Sequence, residues 1–226
     1  MLDHMKFLQT PTTDLTYADV FLVPSRSEVI SRLDVDLAPQ DGTGSTIPLV
    51  SANMTAVTGR RMMEAMARRG GLPSHIAESV IDWVKTRPVL FDTALWIHPH
   101  DTVLEAKHLL PKRNHQAVTV VNEQHEPIGI IRATDFAMTD LFTSAANIMV
   151  DPPVVLQAKD VTTEALPHIF SRLSSAHSEY AVVVNEDGTL AGALSKAGVL
   201  RGTIFSPSLD DKGRLRVAAA VGINGD

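Results

Sequence analysis

The stretch from about Leu95 to Arg201 repeats itself, and this constrains the fold of the chain more than any other feature of its sequence. The first copy runs from Ile97 to Ala106, through Ala117 to Glu123, to Pro127-Ile128-Gly129-Ile130-Ile131. The second runs from Leu156 to Ala165, through Tyr180 to Glu186, to Leu190-Ala191-Gly192-Ala193-Leu194. Asn122 with Asn185 and Gly129 with Gly192 pair at one offset, whereas Asp101 with Asp160 pairs at an offset four residues shorter. The second copy therefore carries a helix about one turn longer. A unit of this size cannot close a core alone, so the two are expected to pack as a pseudo-symmetric pair.

Each copy reads as helix, strand, turn, strand, helix. Thr102 and Glu105 have the spacing of a capping box at a helix start. Leu166, Ile169, Phe170 and Leu173 fall on one helical face. Ala117 to Val121 and Tyr180 to Val184 are short and rich in β-branched residues, as buried strands are. Asn185-Glu186-Asp187-Gly188 has the composition of a turn.

Across the 226 residues, 44% apolar content with only 20% charged excludes a disordered chain and suits an α/β protein. The net charge of −6 argues against a nucleic-acid partner, because phosphate-neutralising proteins carry a basic surplus. No apolar run approaches the roughly 18 residues of a membrane span. The start Met1-Leu2-Asp3-His4 lacks a signal-peptide pattern, so a cytoplasmic setting is expected. The chain has no cysteine, which removes disulfides, thiolate metal sites and a thiol nucleophile from these residues.

The repeat pattern, with Asn147-Ile148-Met149-Val150-Asp151-Pro152-Pro153-Val154 leading into the second copy and Gly-apolar-apolar near the end of each, resembles a tandem pair of CBS repeats (a Bateman module). That resemblance implies binding of regulatory ATP- or GTP-type purine nucleotides. In such pairs a hydroxyl after Gly-apolar-apolar meets phosphate, and an acid three residues later holds ribose. The first copy reads Gly129-Ile130-Ile131-Arg132-Ala133-Thr134-Asp135, keeping the acid with Arg132 at the hydroxyl position. The second reads Gly192-Ala193-Leu194-Ser195-Lys196-Ala197-Gly198, keeping the hydroxyl without the acid. The Asp135 pocket is expected to bind more tightly, with Lys196 attracting phosphate in the other. Asp135 and Ser195 also suit helix caps, and that reading stands beside the first.

The flanks resemble another family. Leu15 to Val29, followed by Ile47-Pro48-Leu49-Val50-Ser51-Ala52-Asn53-Met54-Thr55-Ala56-Val57-Thr58, is similar to the opening of the IMP dehydrogenase and GMP reductase family, whose catalytic domain is a (β/α)8 barrel. The resemblance makes Pro48 to Ala52 the first barrel strand, Gly59 to Arg69 the first helix with Met62, Met63 and Met66 on or near its core face, and Leu72 to Ile76 the second strand. Ala77 to Lys85 is then the second helix, and Arg214 to Gly222 holds the third strand. The implied fold is α/β: the N-terminal part of a TIM barrel with an inserted CBS pair. Residues 1–90 form the first part of the barrel, 91–205 the pair and 206–226 the return. Ending three strands into a barrel leaves an open edge, so a longer parent polypeptide is expected.

The family resemblance implies a purine mononucleotide substrate against Ala52, Asn53 and Met54, and a dinucleotide, NADPH or NAD, near His75. It also implies a monovalent cation and a homo-oligomer, a tetramer or, through the pair, an octamer. Met54 suits a flat purine through its polarizable sulfur, or else packs the top of the barrel. No catalytic residue of the family falls in this chain. Asn53 before Met54 matches the Ala-Asn-Met of GMP reductases, while Thr55 and Ala56 depart from the Asp-Thr of the dehydrogenases. NADPH-dependent reduction of GMP to IMP and ammonia is therefore expected of the parent. The alternatives are oxidation of IMP to XMP with NAD, and a nucleotide-sensing or assembly module without catalysis.

Other features read as structural. His98-Pro99-His100 is taken as a strand-to-helix connection, with no metal site expected. Arg60, Arg61, Arg68 and Arg69 are taken as a solvated helix face, the last two complementing the helix dipole. Gly222 to Asp226 is read as a plain loop.

Overall fold

A computed structural model describes residues 10–112 and 115–222. The Met1-Leu2-Asp3-His4 start and the 223–226 part of the terminal loop lie outside the described residues. The first regular elements are α1 (Arg60–Arg68), β1 (Ser74–His75) and α2 (Glu78–Lys85). The first repeat supplies β2 (Trp96–Ile97), α3 (Val103–Leu109), β3 (Ala117–Val121) and β4 (Pro127–Arg132). The second supplies β5 (Val155–Gln157), α4 (Leu166–Ser175), β6 (Tyr180–Val184), β7 (Leu190–Ser195) and α5 (Lys196–Ile204), and β8 (Ala218–Ala219) follows.

The residues on either side of the repeats meet in one parallel arc. Val50 and Leu72 form a parallel bridge, with Leu72 N–H donating to the Leu49 carbonyl (2.8 Å) and Ser51 N–H to the Leu72 carbonyl (3.1 Å). The Ser51 hydroxyl also accepts from Ser74 N–H at 3.0 Å. Beyond it, β1 pairs in parallel with β8, Ser74 opposite Ala218 and His75 opposite Ala219. The regular strands are shorter than expected, two residues each in β1 and β8, and the 48–52 segment contributes only the bridge. Behind the arc, Met63 and Ala67 of α1 pack with Val84 of α2 and Leu215, all fully buried. Met62, expected on or near the core face, is 43% exposed, because one position earlier it points about 100° away from Met63.

The two repeats reproduce each other strand for strand. In each, a short strand joins a hairpin in parallel: β2-β3-β4 and β5-β6-β7. The register breaks at the same place in both hairpins, between Val120 and Val121 and between Val183 and Val184. Each sheet covers its own helices with one face. With the other it joins a shared core of Ala117, Val121, Ile130, Tyr180, Val182 and Ala193. Burial on both faces explains why β3 and β6 are apolar runs rather than alternating ones. The one side-chain hydroxyl in β3, Thr119, is satisfied across the core by the Tyr180 hydroxyl at 2.8 Å.

The segment ahead of each repeat crosses to the other repeat's hairpin. Asp92 and Ala193 exchange backbone hydrogen bonds of 2.8 and 2.9 Å, as do Ile130 and Val150 at 2.8 and 3.0 Å. This crossing is what the paired glycines serve. A Cβ on Gly192 would lie 2.6 Å from the Asp92 carbonyl oxygen, and one on Gly129 would lie 2.8 Å from the Met149 sulfur.

The closing helix expected in the first repeat is absent. Only a 3-10 turn, Ala133–Phe136, follows β4, and Met138 then takes a left-handed backbone (φ 62°) that ends any helical run. In the second repeat α5 runs for nine residues from its Ser195 cap. The helix-length difference appears as a seven-residue α3, extended by a 3-10 turn at Leu110–Lys112, against a ten-residue α4. The Thr102 capping box forms as read: Glu105 accepts from Thr102 N–H at 2.7 Å, and Thr102 Oγ1 accepts from Glu105 N–H at 3.3 Å.

Candidate functional site

The loop leaving the first strand is closed from below. Thr58, fully buried, donates its hydroxyl to the Ala52 carbonyl, and the N–H groups of Val57 and Thr58 both donate to the Met54 carbonyl. Ala52, Asn53 and Met54 are all exposed, with Met54 at 59%. Its thioether is thus on the surface at the C-terminal end of a parallel strand, where ligands of open or closed α/β sheets bind.

His75 stands opposite Ala219 in the β1–β8 pairing and is 4% exposed. Its Nδ1 accepts from Ala77 N–H at 2.9 Å, which makes it a turn-forming residue between β1 and α2.

Arg132 and Ser195 occupy equivalent places at the ends of β4 and β7, facing Ala117 and Tyr180 across their hairpins. Asp135 binds Arg132 three times: Oδ2 accepts from the Arg132 N–H (2.8 Å) and Nε (3.0 Å), and Oδ1 from Nη2 (3.0 Å). Burial works to raise the Asp135 carboxyl, and the bonds from Arg132 outweigh it, holding it below the ordinary range. Ser195 Oγ accepts from Gly198 N–H at 3.0 Å as the cap of α5, and Lys196 pairs with Glu179 at 2.8 Å. Both Asp135 and Ser195 therefore act as caps in this conformation. The Arg132–Asp135 and Lys196–Glu179 pairs lie in separate repeats, away from the 52–54 loop in sequence and sheet.

Arg60 and Arg61 are exposed, as a solvated face requires, and Arg69 is half-buried, but Arg68 departs from that face. Arg68 is 1% exposed and joins the arc to the repeats. Its Nη1 lies 3.0 Å from Glu64 Oε2 and 3.0 Å from Asp92 Oδ1, while Nε and Nη2 donate to the Pro88 carbonyl. Arg201 of α5 reaches the same Asp92 from the other side. Burial pulls the Arg68 guanidinium down from its ordinary value, and the charges of Glu64 and Asp92 push it back up. The i, i+4 spacing of Glu64 and Arg68 was the available sign in the sequence; nothing local announced Asp92 or Arg201.

With the geometry in place, comparison with known proteins identifies its relatives. The model of the IMP dehydrogenase / GMP reductase domain matches residues 14–226. The GMP reductase of Mycobacterium tuberculosis is 46% identical over 231 residues, covering 98% of this chain and 47% of that protein. The inosine-5'-monophosphate dehydrogenase of Bacillus subtilis is 30% identical over 226 residues, covering 94% and 46%. The chain thus spans about half the length of the curated relatives it matches. Among solved structures, a GMP reductase variant from Trypanosoma brucei in complex with guanosine 5'-monophosphate superposes with a TM-score of 0.64 at 28% identity, covering 95% of this chain and 48% of that one. The same organism's GMP reductase in complex with guanosine 5'-triphosphate gives 0.62 at 27% identity, covering 95% and 55%.

Proposed function

The chain belongs to the IMP dehydrogenase and GMP reductase family, and from that premise we propose that its parent polypeptide reduces GMP to IMP and ammonia with NADPH. One observation carries the choice of reductase: Asn53 stands directly before Met54 on the exposed loop at the strand end, in the residue order typical of GMP reductases. The 46% identity to a GMP reductase, against 30% to a dehydrogenase, agrees with it. In this reading the Met54 thioether lies against the purine, and the Ala52–Met54 backbone fixes the loop that carries it. The thiol nucleophile that such chemistry uses is not among the 226 residues. His75, which the resemblance puts near the dinucleotide, is buried, with its Nδ1 accepting from Ala77 N–H.

A second reading is favoured by one feature. The inosine-5'-monophosphate dehydrogenase of Bacillus subtilis is 30% identical over 94% of this chain, repeats included. The parent then oxidises IMP to XMP with NAD. Full-length protein assayed with GMP plus NADPH and with IMP plus NAD separates the two. Turnover only in the second assay overturns the reductase reading, and turnover in neither leaves a nucleotide-sensing or assembly module.

The proposed organisation is a barrel opening (residues 1–90), a CBS pair (91–205) and a return to the barrel (206–226). The pair takes ATP- or GTP-type nucleotides with Arg132 and Asp135 in one pocket and Ser195 and Lys196 in the other. For Asp135 to accept from a ribose diol, Arg132 must turn from the carboxylate to a phosphate, an exchange of one charge-assisted partner for another. The parent assembles as a tetramer through its barrels, and the pair offers a further contact for an octamer.

A further inference from the structure

The residues from Ala52 to Thr58 carry the chain from the first strand of the arc into α1. Ala52, Asn53, Met54, Thr55, Ala56 and Val57 are all exposed, whereas Thr58 is fully buried. The Met54 carbonyl accepts from Val57 N–H at 2.9 Å and from Thr58 N–H at 2.8 Å, which closes the turn on itself. The Thr58 hydroxyl donates to the Ala52 carbonyl, to which no backbone N–H donates among the described residues. Both ends of the loop are anchored: Ser51 N–H donates to the Leu72 carbonyl at 3.1 Å, and Met63 N–H to the Gly59 carbonyl at 3.0 Å.

We propose that Thr58 is a positioning residue for the purine mononucleotide, its hydroxyl holding the Ala52–Met54 backbone in the shape that presents the Met54 thioether. This rests on the reading that the nucleotide lies against Met54. A buried hydroxyl has given up its water, and here it returns that contact to a single carbonyl at the start of the loop. Without it the Ala52 carbonyl loses its partner, and Asn53 and Met54 are held only by the bonds to the Met54 carbonyl. The substrate must then order the loop as it binds, a cost that appears as weaker binding. The thiol nucleophile of the proposed reaction lies outside these residues, so the chemical step is expected to change less than KM does. A purely structural Thr58 behaves otherwise: losing it lowers the share of folded enzyme, which lowers apparent kcat and leaves KM where it was.

The test pairs steady-state kinetics of the full-length parent with amide hydrogen exchange of the 226-residue chain. Thr58→Val keeps the side-chain shape and removes the hydroxyl; Thr58→Ser keeps the hydroxyl. In Thr58→Val the mononucleotide KM is expected to rise about tenfold, the worth of one lost hydrogen bond, with a smaller change in kcat and none in the dinucleotide KM. Thr58→Ser is expected to restore the mononucleotide KM. In the 226-residue chain, Thr58→Val should lower the protection of the amides at 57 and 58 by about tenfold while α1 and the repeat hairpins keep theirs. Thr58→Ala, which sets no methyl in place of the hydroxyl, carries the same expectations should Thr58→Val fail to fold. A fall in kcat at unchanged KM, protection lost evenly along the chain, or a Thr58→Val protein that matches wild type in both measurements overturns the proposal. A parent that turns over neither GMP nor IMP defeats the underlying functional reading instead, and amide exchange then decides by itself whether Thr58 holds the loop.

Discussion

Arg68 and Arg201 reach the same carboxylate oxygen: Asp92 Oδ1 lies 3.0 Å from Nη1 of each. Asp92 also bridges to Ala193 through its backbone, so this residue ties α1, β7 and α5 together. Asp92→Ala removes a partner from an arginine that is fully out of water. Breaking a buried pair on one side costs about 3–5 kcal/mol, and the low end is expected because Glu64 stays beside Arg68. Urea unfolding of the two proteins measures it; a loss below about 1 kcal/mol would mean that Glu64 alone suffices for Arg68.

The paired glycines are expected to be unequal. At Gly192 the atoms in the way are backbone at Asp92 and the Phe91 ring, whereas at Gly129 they belong to the flexible Met149 side chain. Gly192→Ala should cost on the order of 1–3 kcal/mol, the range of overpacking, and Gly129→Ala less. Thermal melts of both variants check the order, and a larger loss at Gly129 would contradict it.

Alkaline pH should destabilise the repeat pair through Tyr180. Burial pushes its phenol well above the ordinary range, further than the Thr119 hydrogen bond lowers it. The native state therefore keeps a proton that the unfolded chain loses above about pH 10, and stability falls as pH rises past that point. Tyr180→Phe should flatten this limb. At neutral pH it leaves the Thr119 hydroxyl without that partner, at a cost of about 1–2 kcal/mol, which Thr119→Val in the same chain should partly restore. A pH–stability curve unchanged by Tyr180→Phe would rule out this residue as its source.

Asp135 separates binding from capping. If its carboxylate holds ribose, Asp135→Ala should weaken ATP or GTP binding by about tenfold, the worth of one to two lost hydrogen bonds. The matching change at the other repeat, Ser195→Ala, should cost about 1 kcal/mol of stability as a lost N-cap. Calorimetry paired with a melt reads both. Unchanged nucleotide affinity in folded Asp135→Ala makes the residue a cap alone.

The hairpins were legible because burial on both faces leaves an unmistakable record, the β-branched runs at Ala117–Val121 and Tyr180–Val184. The missing helix after β4 was not, since Ala133, Thr134 and Phe136 suit a helix well enough. What ends it is the backbone at Met138, and one residue in a left-handed conformation leaves no periodic trace. The motif marks the loop at Ala52–Met54, but nothing in the sequence singles out Thr58, whose hydroxyl closes it on the Ala52 carbonyl. Arg68 was misjudged for a related reason. A cation near a helix end is ordinarily solvated, and its burial follows from Asp92 and Arg201, which only the folded chain brings near.

The crossing of Asp92 onto β7 and of Val150 onto β4 has a consequence for how the repeats can be handled. Neither half owns all the backbone it needs. A fragment holding one repeat would carry a leading segment with nothing to lie on and a hairpin edge with nothing laid across it. Two such fragments complete each other by exchange, so a single repeat expressed alone should be a swapped dimer, and severing the chain between the halves should leave them bound.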